Sequence, residues 1–234
     1  MGRFSGLVVT CEHGGNGVPA GYEKLFQGYR SLLGSHRGWD AGALILAREI
    51  AREMDCELIS ATVTRLLVDL NRSLTNPRAF SEASRGLDAA KRAEVVGKFY
   101  HPHRDGVESA LNTLLSRGGT VLHLSVHSFT PILNGRRRNA DIGLLYDPAR
   151  RREAALCLAW QRLLEVEFPD FIIRRNYPYR GKDDGLTTAL RKSMSPARYL
   201  GVELEFNQKW VKGRTAHWRR LRTGIVRTLQ AMLA

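Results

Sequence analysis

Gly118-Gly-Thr-Val-Leu-His-Leu-Ser-Val-His-Ser128 is the stretch on which the fold turns. Its two histidines stand four residues apart, a spacing that on a helix puts both on one face, as in zinc-binding HExxH motifs. The glutamate of that motif is missing, a Gly-Gly break precedes the run, and its apolar content is that of a buried strand. On a strand, His123, Ser125 and His127 share a face. The two histidines are then about 13 Å apart, four residues at a rise of 3.3 Å each, and cannot chelate one ion. His127, where the strand ends, is the ligand candidate. His123 reads as a buried, hydrogen-bonded histidine.

Working outward, apolar runs alternate with amphipathic ones. Leu7–Cys11 is a short strand that enters the loop Gly14-Gly15-Asn16-Gly17. Ala43, Leu46, Ala47, Ile50, Ala51 and Met54 recur at helical spacing, which predicts a helix over Asp40–Met54. Leu58–Val63 and Leu66–Leu70 read as strands. Asp88–Phe99 and Pro102–Ser116 read as two helices, the second with proline in its first turn and glycines past its end. After the central strand come a strand at Ile142–Tyr146, a helix at Arg151–Glu167, strands at Phe171–Arg174 and Arg198–Phe206, and a closing helix at Gly213–Leu233. The expected fold class is α/β: one domain over residues 1–234, a three-layer α/β/α sandwich around a mostly parallel mixed sheet.

The 234 residues are 43% hydrophobic and 25% charged, which excludes disorder, collagen and a coiled coil. No apolar run approaches the ~20 residues of a membrane span. The start, Met1-Gly-Arg-Phe-Ser-Gly, enters a strand without the apolar stretch of a signal peptide, so a cytoplasmic location is expected. Thirty-six Lys and Arg against 23 Asp and Glu leave a net charge of +13. Such a charge suits nucleic acid, a small anionic substrate in a cationic cleft, or a merely solvated surface. Arg136-Arg137-Arg138 and Arg150-Arg151-Arg152 lie beside turn residues and read as solvated loops. The aromatic interleaving of a single-strand platform is absent, which argues against nucleic acid as the partner.

Three cysteines without a CxxC pair imply reduced thiols. Cys11, just before Glu12-His13, is either a nucleophile for an amidase or a small buried hydrophobe. GxSxG, GxxxxGK[ST] and GxGxxG are all missing, which weakens serine-hydrolase, P-loop and dinucleotide readings.

Sheets of this kind place ligands beyond the carboxyl ends of their strands. That rule selects His13, Asn71-Arg72, His127 and Glu203/Glu205. Two histidines at strand ends plus a carboxylate make a three-ligand zinc site with one position left for water. Asp40 is a third ligand or the cap of the helix it precedes. Arg72 offers a planar fork for a carboxylate and Asn71 a donor beside it, or the two are a surface arginine and a capping asparagine. Glu203 and Glu205 face one way as general base or ligand, or else pair with structural arginines.

Taken in order, the segments resemble the N-formylglutamate amidohydrolase family. The likeness rests on Cys11-Glu-His-Gly-Gly-Asn-Gly-Val-Pro19, His36-Arg-Gly-Trp-Asp40, Val68-Asp-Leu-Asn-Arg72, Phe99-Tyr-His-Pro-His-Arg104, Ser125-Val-His-Ser128, Ala140-Asp-Ile-Gly143, Asn176-Tyr-Pro-Tyr179 and Val202-Glu-Leu-Glu-Phe-Asn207. It implies a zinc-carboxypeptidase-like fold and a zinc- or other metal-dependent hydrolase that cleaves the amide of a small anionic N-acyl acidic amino acid in amino-acid catabolism. By position, His13 and His127 resemble metal ligands, Asn71 and Arg72 the pair that holds the substrate carboxylate, and Glu205 the general base. Glu203 accompanies it, Arg65 or Arg104 meets oxyanion charge, and Arg104 is also a substrate contact. The chain departs from the pattern in three places. His-x-x-Glu reads His13-Gly-Gly-Asn16, so the acidic ligand comes from Asp40 or Glu12. Asp-x-His-Ser reads Ser125-Val-His-Ser128, which removes an expected carboxylate. Pro-aromatic-His reads Pro102-His103-Arg104.

Overall fold

The computed structural model describes residues 4–211 and 216–234. Met1, Gly2, Arg3 and the first residues of the helix expected from Gly213 lie outside that range.

The sheet has six strands, β1 (Phe4–Cys11), β2 (Glu57–Ser60), β3 (Thr120–Phe129), β6 (Ile142–Leu145), β7 (Ile173–Arg175) and β8 (Tyr199–Asn207), in the order β2-β1-β3-β8-β6-β7. A separate hairpin joins β4 (Ile132–Leu133) to β5 (Arg136–Arg137). Within the six-stranded sheet β2, β1, β3 and β8 run parallel, β6 pairs with β8 antiparallel, and β7 runs parallel to β6. The carboxyl ends of β1, β3 and β8 therefore meet at one edge.

The helices are α1 (Arg30–Leu33), α2 (Ala43–Glu53), α3 (Ala89–Val95), α4 (His101–Ser116), α5 (Arg151–Glu167), α6 (Leu186–Ser193) and α7 (Ala216–Leu233). Strand alternation divides the core between two layers. Leu7, Val9 and Cys11 of β1 and Leu122, Leu124 and Val126 of β3 pack with α2, α5 and α7. Val8 and Val121 face the other way and pack with α4 and α6. His123, Ser125, His127, Glu203 and Glu205 share that second face by parity. This is the α/β/α sandwich expected from the residues.

Several expectations need correction. Leu66–Leu70 is not a strand. Its leucines are buried beside Tyr22, Phe26, Val95 and Tyr100, while its backbone is held by turns. Leu67 N–H donates to Thr64 O, Asp69 N–H donates to Ala79 O, and Ser81 and Ser84 hydroxyls both donate to Leu66 O. An apolar run can be buried without a ladder if its polar backbone finds other partners. The two helices read around residue 100 are one rod, joined by a π-helical stretch at Val96–Tyr100. The wide turn falls just before Pro102, whose ring cannot donate to the ladder. β3 continues to Phe129, so His127 lies within it and not at its end. Asp40 does not begin α2, whose N-cap is Gly42 with φ +82°.

The glycines after β1 stitch the loop down. Gly14 and Gly17 N–H groups donate to Ala61 O and Thr62 O at 3.0 and 2.9 Å. A Cβ on Gly15 would sit 2.6 Å from Thr62 O. His13 thus leaves the strand on fixed backbone. Arg138 corrects the solvated-loop reading: it is 9% exposed, while Arg136 and Arg137 lie in the exposed hairpin strand.

Candidate active site and metal centre

His13 follows β1, His127 stands in β3, and Asp40 is carried to them by the loop before α2, where its N–H donates to His13 O at 2.9 Å. Ligand atoms of these three buried residues all lie within 4.8 Å of one another and could hold a metal ion. His127 Nδ1 is 2.9 Å from Asp40 Oδ2. His13 Nδ1 is buried with no hydrogen-bond partner and stands 3.4 Å from the same oxygen. An orphaned imidazole nitrogen facing a carboxylate and a second imidazole fits a missing cation, because buried polar atoms otherwise find partners.

The outer nitrogens of both rings are backed by carboxylates. His13 Nε2 is 2.7 Å from Asp69 Oδ1. His127 Nε2 is 2.8 Å from Ser125 Oγ and 3.1 Å from Glu12 Oε2, and Ser125 Oγ donates to the same Glu12 oxygen at 2.7 Å. Carboxylate-backed histidines are the usual second layer of a metal site, fixing tautomer and ring orientation. The carboxylate missing at position 125 thus comes from Glu12, the residue that follows the neighbouring strand β1. Of the two acids weighed as third ligand, geometry brings Asp40 to the Nδ1 atoms and Glu12 to the far side of His127. Asn16 of the altered His-x-x-Glu pattern points away and donates to Leu33 O.

The charges of this cluster hold one another. Burial alone would raise the Asp40 carboxyl, but His13, His127 and Arg65 keep it well below the usual range. Asp69 is likewise buried and held low by Arg65 and His13. Glu12 is buried yet low because of His103 and His127. His127, although buried, is held well above the usual histidine range by Asp40 and Glu12. His123 is the opposite case: burial pushes it down to about 4, between Thr10 Oγ1 at 2.9 Å and Tyr199 OH at 2.8 Å.

His13, Asp40 and His127 line a cavity of about 450 Å³ together with Arg65, Asn71, Arg72, Tyr179, Glu203 and Glu205. β3 and β8 pair so that Ser125 faces Glu203 and His127 faces Glu205. Glu205 Oε2 is buried with no hydrogen-bond partner. Burial, with the charges of Asp40 and Glu203 added, pushes its carboxyl up to about 8 against the pull of His127. Glu203 differs in having a partner, since Thr187 Oγ1 donates to it at 2.6 Å. Neither acid forms an ion pair among the described residues, so the structural-arginine reading does not hold for them.

Asn71 is a capping residue whose amide nitrogen also faces the candidate metal cluster. Its Oδ1 caps α6 by accepting from Leu186 N–H at 2.7 Å, and its Nδ2 lies 3.4 Å from His127 Nε2. Arg72 keeps one contact with Asp69, at 3.5 Å, and otherwise faces the cavity. Arg65 donates to Asp69 Oδ2 at 3.2 and 2.7 Å and to Asp40 Oδ1 at 3.4 Å, so much of its fork is committed. Arg104 does not line this cavity. It donates to Leu70 O and Arg72 O, both at 3.1 Å, and stacks on Tyr100, so it braces the turn that presents Asn71 and Arg72. Cys11 is fully buried in the opposite core layer, and burial beside Glu12 pushes its thiol well up. A substrate in the cavity cannot reach it, which removes the cysteine-nucleophile reading.

Four participants carry no role in the sequence reading. Asp69 had a signal, an acid inside an apolar run. His103 is buried with Nε2 3.7 Å from Glu12 Oε1. Tyr179 reaches the cavity because Gly143 and Gly181 let its loop approach the sheet, where a Cβ at either position would collide with Tyr177 O or Tyr146 N. Arg138 donates to Tyr179 OH at 2.8 Å and lies over the Phe129 and Tyr179 rings. No local pattern distinguishes it from its two arginine neighbours.

Among the described residues no helix is long and apolar enough to cross a membrane. A search of curated proteins finds no match. Among solved structures, the gene product Atu2144 from Agrobacterium tumefaciens is 28% identical with a TM-score of 0.79, covering 97% of this chain and 92% of its own. The N-formylglutamate amidohydrolase from Ralstonia eutropha JMP134 shares the fold at 21% identity and a TM-score of 0.72, with 99% and 94% covered. The succinylglutamate desuccinylase from Chromobacterium violaceum shares it more distantly, at 14% identity and a TM-score of 0.50 over 97% and 60%. The family model for N-formylglutamate amidohydrolase matches residues 5–211, a span that holds every side chain of the cavity, and the chain belongs to that family.

Proposed function

We propose that the chain is a metal-dependent amidohydrolase that removes the acyl group from an N-acyl acidic amino acid, with N-formyl-L-glutamate as the reference substrate. The observation that carries this reading is the partnerless Nδ1 of His13, set with Asp40 and His127 in the cavity that also holds the partnerless Oε2 of Glu205. His13, His127 and Asp40 would hold the ion, with zinc the best match to two imidazoles and one carboxylate. A divalent ion there supplies Lewis acidity and makes water a nucleophile near neutral pH.

The remaining work falls to the chain. Asp69 and Glu12 orient the two imidazoles through their outer nitrogens. Asn71 Nδ2 and the free edge of Arg72 bind the substrate carboxylate and set the amide against Glu205. Glu205 takes the proton of the attacking water on its carboxylate and gives it to the departing amine, a role for which its raised affinity for protons suits it. The nearby charge of Arg65 favours the negative charge that develops on the amide oxygen. Glu203, tied to Thr187, keeps the Glu205 carboxyl company in charge and contributes to that raised affinity.

The test is amine release from N-formyl-L-glutamate by zinc-loaded protein beside a chelator-treated sample. Turnover in the first and its loss in the second are expected. Equal rates with and without chelator would overturn the metal-dependent reading.

A further inference from the structure

We propose that a second cavity beside the catalytic one binds an anionic extension of the substrate, which is therefore an N-acyl acidic amino acid carrying a further carboxylate or phosphate. The inference rests on the amidohydrolase reading above and names the substrate class of that site.

The second cavity measures about 650 Å³. It shares His36, Arg65, Arg72, Arg78 and Tyr179 with the catalytic cavity, so the two are contiguous. Their charges differ. The catalytic cavity is lined by four arginines and five carboxylates. The second is lined by five arginines and two carboxylates. Three of those five are partly neutralised: Arg65 and Arg72 face Asp69, and Arg37 grips Glu82 through two hydrogen bonds of 2.6 and 2.7 Å. The guanidinium groups of Arg78 and Arg85 make no hydrogen bond or ion pair among the described residues.

Size supports the same conclusion. Pockets of roughly 300–1,000 Å³ take drug-sized ligands, so the catalytic cavity alone holds an N-formyl amino acid. The second leaves room for a substituent of comparable bulk. Two unpaired arginine forks in it match carboxylate or phosphate groups geometrically. Arg85 lines only the second cavity, so it reports on the extension.

The experiment compares three zinc-supported substrates: N-formyl-γ-glutamylglutamate, N-formyl-γ-glutamylphosphoethanolamine and N-formyl-γ-glutamylethanolamine, whose α-carboxylate is shared by all three and whose extension alone is neutral. One or both anionic forms should show a KM lower than the neutral form by about tenfold or more, as expected for charge-assisted hydrogen bonds. Which one does so separates a carboxylate from a phosphate extension. In Arg85→Glu, and more mildly in Arg85→Gln, the ratio of anionic to neutral KM should approach one. Equal KM values for all three substrates, or a ratio that survives Arg85→Glu, would overturn the proposal. Calorimetric binding of γ-glutamylglutamate against γ-glutamylethanolamine is measured on the same proteins and needs no turnover. If none of the three is hydrolysed, this binding alone decides the cavity, while the amidohydrolase reading is decided separately by turnover of N-formyl-L-glutamate. An Arg85-dependent preference for the anion supports it, and equal affinity refutes it.

Discussion

Substituting Asp69 by asparagine isolates the part of the site that is least obvious and most constrained. Asp69 Oδ1 takes His13 Nε2 at 2.7 Å and Asn71 N–H at 3.0 Å, while Oδ2 takes two N–H groups of Arg65. All of these neighbours can donate, so both carboxylate oxygens are needed as acceptors. An asparagine has one oxygen to offer. If that oxygen faces His13, the amide NH2 opposes the Arg65 fork. If it faces Arg65, the NH2 donates to His13 Nε2 and drives the imidazole proton onto Nδ1, the atom that faces Asp40 and His127. Either arrangement impairs the three-residue cluster. Loss of such a carboxylate partner typically costs 10–100-fold in metal affinity, about 1.4–2.8 kcal/mol. Fold stability should fall as well, by about 2–3 kcal/mol, less than for a fully buried pair because Arg65 retains Asp40 and 24% of its side-chain exposure. The assay is competition for zinc against a chromogenic chelator, with urea unfolding of the metal-free protein alongside. A zinc affinity within twofold of wild type in folded Asp69→Asn would refute the reasoning, because the tautomer of His13 would then be set by something else.

Other expectations follow from the same geometry. Glu205→Gln should lower kcat by about a hundred- to ten-thousand-fold with little change in KM, read by steady-state kinetics, since the amide cannot carry the proton. Arg72→Ala should raise KM for N-formylglutamate by about 10–100-fold while changing kcat less, as removal of a charge-assisted clamp predicts. Treatment of the folded protein with iodoacetamide should leave turnover intact, and inactivation that tracks alkylation of Cys11 would contradict its burial in the far core layer. Glu153→Ala should destabilise the protein by about 3–5 kcal/mol in denaturant unfolding. It leaves the buried Arg191 guanidinium, now 3.1 Å from both Glu153 oxygens, without an anion where α6 meets β8. A loss below 1 kcal/mol would mean that the carbonyls of Gly181 and Gly201 satisfy that arginine alone.

Much of this site was readable because it obeys rules of short range. Histidines and acids at the ends of apolar strands fall at one edge of a parallel sheet, so His13, His127, Glu203 and Glu205 could be gathered from periodicity alone. Asn71 and Arg72 stood out as polar residues closing an apolar run, although that run proved to be a set of turns. Other roles depend on partners 25 to more than a hundred residues away, and no local pattern carries them. Arg104 looked like a substrate contact but is engaged by the carbonyls of Leu70 and Arg72. Arg138 sits in a string of three arginines, and only the fold distinguishes the buried one. Glu12 replaces the carboxylate missing at position 125 because β1 and β3 are neighbours, a fact of strand order.

The residues by themselves determined the α/β class, the layers and the chemical types gathered at the strand ends, because strand and helix periods are local properties of the chain. Tertiary structure decided which carboxylate stands at the histidine Nδ1 atoms and which stand behind them. It also decided that Cys11 is sealed in the opposite layer, and that a second, arginine-rich cavity adjoins the first. Those outcomes depend on strand order and on loop backbone packed against distant backbone, and such contacts exist only once the sheet has formed.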